Sequence, residues 1–74
     1  MFRKMKLKHE IKKNCDAIEV IEKKRYRSQS ALVEAILKSE TPDDQDVEYF
    51  NKYTAEIEKL RREIRAMKKE IESL

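Results

Sequence analysis

From residue 50 onward the chain places an apolar side chain at every third or fourth position without a miss: Phe50, Tyr53, Ile57, Leu60, Ile64, Met67, Ile71 and Leu74. Steps alternating between three and four put all eight on one stripe of a helix, the heptad seam of a coiled coil. Just before it, Thr41-Pro42-Asp43-Asp44 has the chemistry of a helix start. Thr41 can cap, Pro42 suits a first turn that leaves its N–H unused, and the two aspartates suit the positive end of the helix dipole. A long helix is therefore predicted from about Pro42 to the end. Upstream, Ile11, Cys15, Ile18 and Ile21 share a helical face and predict a helix over about 10–25, with Cys15 a small apolar filler. Tyr26-Arg27-Ser28 reads as a break, with Ser28 as the N-cap of another helix that carries Leu32, Val33, Ile36 and Leu37 and ends near Ser39.

Residues 4–9, Lys-Met-Lys-Leu-Lys-His, follow a different period. Lys4, Lys6 and Lys8 alternate with Met5, Leu7 and His9, and alternation with period two predicts a strand. No other segment alternates in this way, so the strand's ladder groups would find no partner in their own chain. The same strand of a second chain is the simplest partner. In such a two-stranded ribbon Met5, Leu7 and His9 turn inward onto the helices, and the lysines turn outward together. The predicted fold is mainly α: an intertwined homodimer with one short strand and two helices per chain over residues 1–40, extended by a long third helix over residues 41–74. Its dimer core comprises Met5, Leu7, His9, Ile18, Ile21, Leu32, Val33, Ile36 and Leu37. The stripe from Phe50 to Leu74 is the interface of the third helix. It either pairs with its copy, where Glu56, Glu63 and Glu70 opposite Arg61 and Lys68 lean towards a parallel pair, or folds back on the first two helices.

Size supports assembly. A chain of 74 residues buries a small core, and with Cys15 its only cysteine and His9 its only histidine it lacks the disulfides or metals that staple small domains. A metal site, a cofactor and catalysis are not expected: there is no glycine-rich phosphate loop, no histidine pair and no nucleophile beside a base. No signal peptide or long apolar run is present, so no membrane partner is expected and the cytoplasm is the expected compartment, that of the host if the chain is viral. Charged residues make up 45% of the chain and glycine is missing, a bias shared by hyperthermophilic proteins and coiled coils.

Charge narrows the expected partners. Residues 1–30 carry ten Lys and Arg against four acids, although the net charge of the whole chain is only +3. A basic amino-terminal half beside a ribbon of lysines points to a polyanion, and a two-stranded ribbon fits the major groove of DNA. The alternative is a protein-interaction module, an antitoxin or adaptor that engages its partner through the third helix.

These segments together resemble the ribbon-helix-helix DNA-binding proteins of the MetJ and Arc type. The resemblance rests on the ribbon at residues 4–9, the helix from Ile11 to Arg25, and Arg27 to Leu37 as turn and second helix, in which Ser28-Gln29-Ser30-Ala31-Leu32-Val33 stands where the family commonly writes S-R-S-E-L-I. The added carboxy-terminal helix makes the layout similar to small members encoded by spindle-shaped viruses of hyperthermophilic archaea. The resemblance implies a homodimeric transcriptional regulator of double-stranded DNA. Lys4, Lys6 and Lys8 would contact bases, while Ser28, Gln29 and Ser30, helped by Arg25 and Arg27, would anchor a phosphate at the start of the second helix. His9 stands where members usually keep an apolar residue, and three lysines imply modest sequence discrimination.

Overall fold

The computed structural model describes residues 2–74, which form two helices and no strand. Helix α1 runs without interruption over Phe2–Leu37, and α2 spans Asp44–Glu72. They lie antiparallel, side by side, as a rod 56 × 16 × 15 Å. This overturns the ribbon-helix-helix architecture. Residues 4–9 are helical, the first and second predicted helices are one, and the long carboxy-terminal helix is the second of two rather than the third. The physical reason lies in the backbone. A helix satisfies its own N–H and C=O groups, whereas the proposed strand needed another chain to do so. Nothing between Phe2 and Leu37 forbids a helix, since the only proline is Pro42 and there is no glycine.

The seam of α1 is itself a heptad stripe: Leu7, Ile11, Asn14, Ile18, Ile21, Arg25, Ser28, Leu32 and Ala35 are the buried or half-buried positions at alternating steps of four and three. It faces the corresponding stripe of α2, where Phe50, Tyr53, Ile57, Leu60, Ile64, Met67 and Ile71 are turned inward and Leu74 is exposed. The core is Ile18, Ile57 and Ile64, with Ile11, Ile21, Leu60 and Met67 packed against it. Ion pairs on opposite edges of the seam fix the register. Arg3 pairs with Glu70 on one edge and Glu22 with Arg61, at 3.0 Å, on the other. This register brings Ile18 level with Leu60, Ile21 with Ile57, and Ile11 with Met67. Glu70 and Glu63 therefore meet side chains of α1, Arg3 and Asn14. Asn14, level with Ile64, donates to Glu63 at 3.0 Å, which gives the one amide on the seam a partner on α2. Towards the turn the small Ser28, 9% exposed, comes level with the large Phe50, and a small residue there makes room for a ring.

Both helix ends at the turn have identifiable caps. Ser39 has φ 57°, its N–H donates to the Ile36 carbonyl, and the Glu40 N–H donates to that of Ala35. These two bonds are the Schellman arrangement, in which the left-handed residue is usually glycine. In this chain a serine bears the steric cost. Ser39→Gly is therefore expected to raise stability by about 1 kcal/mol, read as a higher midpoint in urea with an unchanged slope. Helix α2 is capped by Asp43, whose side chain accepts from the Gln45 N–H at 2.8 Å. Thr41 and Pro42 thus lie outside the helix they were expected to open. With Asp44 and Asp46 in its first turn and Lys69 in its last, α2 complements its own dipole.

Candidate nucleic-acid interface

Side chains two residues apart on a helix point about 200° apart, whereas those four apart nearly align. Continuous α1 therefore separates the lysines that the strand reading had gathered. Lys4 and Lys8 project along one edge of the seam and Lys6 along the other. Lys12, not singled out from the sequence, continues the line of Lys4 and Lys8. The register adds Arg65 and Lys68 from α2 on the same flank. All five are exposed, and among the described residues none of them forms an ion pair. The step of four in Lys4, Lys8 and Lys12 was visible in the sequence but was masked by the shorter alternation.

This flank belongs to a strongly bipolar rod. At the open end, residues 2–13 and 65–74 carry nine basic side chains against three acids. At the turn, residues 34–48 carry six acids against Lys38 alone, which pairs with Glu34 at 2.9 Å. A net charge of +3 conceals this separation. It arises because the hairpin brings the two chain ends together and carries the acidic middle of the sequence to the far end.

The expected phosphate anchor loses its physical basis. Ser28, Gln29 and Ser30 lie in mid-helix, where their N–H groups are engaged by the preceding turn and no helix amino terminus exists. Ser28 is buried in the seam with the half-buried Arg25 nearby, while Arg27, Gln29 and Ser30 are exposed. The residues expected in a dimer core also part company. Ile18 is buried and Leu7, Ile21 and Leu32 are half-buried against α2, whereas Met5, His9, Val33, Ile36 and Leu37 face solvent. Cys15 is exposed and not a core filler. Thr54 carries a buried hydroxyl without a hydrogen-bond partner among the described residues.

Among the described residues no group of three His, Cys, Asp or Glu side chains is placed to hold a metal ion, and no helix is long and apolar enough to cross a membrane. No family model, curated protein or solved structure matches the chain.

Proposed function

We infer that the protein is a DNA-binding helical hairpin that meets the phosphate backbone with the basic flank of its open end. The observation that carries this reading is the convergence of Lys4, Lys8 and Lys12 with Arg65 and Lys68 on one flank, exposed and unpaired among the described residues. Like charges held this close raise the local potential, and a polyanion relieves their repulsion while releasing its own counterions. Four of the five are lysines, compact charges whose contacts position a protein on a duplex without reading bases. Binding is therefore expected to depend steeply on salt and weakly on sequence, and a regulatory role would draw its specificity from elsewhere.

The test is a fluorescence-anisotropy titration of a labelled duplex with the parent, with K4Q/K8Q/K12Q, and with K6Q/K13Q, which removes charge from the opposite flank. Neutralising about five phosphates predicts an affinity loss of the order of 500-fold between 50 and 200 mM salt. K4Q/K8Q/K12Q is expected to lose most of the affinity and the control to lose much less. Equal losses in the two variants would reduce the reading to non-specific attraction by net charge. Absence of salt-sensitive binding by the folded parent would end it.

A second reading, a protein-interaction module, is favoured by one observation: Val33, Ile36 and Leu37 are 47%, 65% and 80% exposed near the turn. The Phe50-to-Leu74 stripe is largely occupied by α1, so this reading puts the partner surface of such a module on α1.

A further inference from the structure

We propose that the turn-proximal back of α1 is a docking surface for a second copy of this chain, laid antiparallel about a two-fold axis near Ser30 and Val33. Tyr26, Ser30, Val33 and Leu37 follow one another at steps of four, three and four, and this second stripe points away from α2. Tyr26, Val33 and Leu37 line one shallow groove along it, and all three are exposed. The apolar side chains are adjacent, and nothing among the described residues covers them.

Surface area leaves room for an occupant. The chain exposes 6162 Å². A compact monomer of 8.9 kDa exposes roughly 4,800 Å² by the usual scaling with mass. The excess, roughly 1,300 Å², exceeds the ~800 Å² that each partner contributes to a standard interface. A rod with three buried apolar residues has surface to spare for such a contact and little core of its own.

Charge argues that the occupant is a copy. Lys23 precedes the apolar stripe by one turn and Arg27 lies beside Tyr26, while Glu40 and Asp43 follow the stripe in the turn; Glu34 and Lys38, at its carboxy-terminal end, pair with each other. A two-fold rotation that sets Tyr26 of one copy on Leu37 of the other, and Ser30 on Val33, carries Lys23 past the end of the second copy's α1, towards the turn that holds Glu40 and Asp43. Opposite signs then meet at both ends of the contact, the self-complementarity that an isologous interface requires. A parallel overlay would instead set acidic turn on acidic turn. The antiparallel one also leaves the two basic open ends at the far ends of the assembly, apart from one another.

Sedimentation equilibrium of the full chain tests this, with circular dichroism to follow helicity. The parent is expected to be dimeric at concentrations of the order of 100 µM. V33Q/L37Q, which changes only exposed positions to good helix formers, is expected to keep its helicity and raise the dissociation constant about 100-fold. K23E and E40K are each expected to weaken the dimer about tenfold, and K23E/E40K to recover most of that loss. A monomeric parent, a dimer indifferent to V33Q/L37Q, or a double charge reversal no better than the two single ones would each overturn the proposal. The charge pair decides the matter by itself if V33Q/L37Q loses helicity.

Discussion

Ile57→Ala is expected to abolish the cooperative thermal transition of the protein, or to bring it close to room temperature. Ile57 has 0% exposure and is the largest fully buried side chain among the described residues. Removing an interior isoleucine to alanine costs about 2–5 kcal/mol, part of it transfer and part the cavity left behind. Small domains with a modest core have a total stability of about 3–5 kcal/mol. The remaining core residues cannot close the gap, since Ile18 and Ile64 are fixed on rigid helices at their own levels of the seam. Leu74→Ala makes the contrast: the residue belongs to the same stripe but is 65% exposed, and its loss is expected to cost less than about 0.5 kcal/mol. Thermal melts followed at 222 nm separate the two. Similar midpoints for both variants would mean that the seam between α1 and α2 is not what holds the chain folded.

That seam was half legible in the sequence. On α2 every seam position from Phe50 to Leu74 is apolar, so the period stands out and the inward stripe follows from it. On α1 the same heptad runs through Asn14, Arg25 and Ser28. Polar residues at those points broke the pattern into fragments, and Ser28, followed by an apolar run, has the appearance of an N-cap. In the folded chain it is a small seam residue level with Phe50. The alternation in residues 4–9 misled for a related reason. Lysines at positions 4 and 8 fit a helical stripe as well as a strand, and six residues are too few to separate period 2 from period 3.6. The missing strand partner was the physical argument that favoured the helix, because α1 leaves no ladder to complete. The basic site was legible as an excess of charge in the amino-terminal half. Its geometry was not, because Arg65 and Lys68 join Lys4, Lys8 and Lys12 only through the register of the hairpin.

Truncation after Ser39 is expected to do more than lower the melting temperature: it should remove the cooperative transition altogether and most of the helicity of α1. The helix is poorly equipped to stand alone. It has no acidic residue in its first turn and no basic one in its last, and Arg3 and Lys4 sit at the end of the dipole that repels them. Lys4, Lys8 and Lys12 repel at successive steps of four, each step unfavourable by about 0.2–0.5 kcal/mol. Long helices in water owe most of their stability to a packed apolar face. For α1 that face is Leu7, Ile11, Ile18, Ile21 and Leu32, all shielded by α2. Glu70 of α2 also supplies the carboxylate that neutralises Arg3. A peptide of residues 41–74 added in trans restores both features, so the fragment is expected to regain helicity on mixing, in proportion to the complex formed. Parent-like ellipticity per residue in the fragment alone would make α1 an autonomous helix, and the antiparallel seam would then organise the molecule without being the source of its stability.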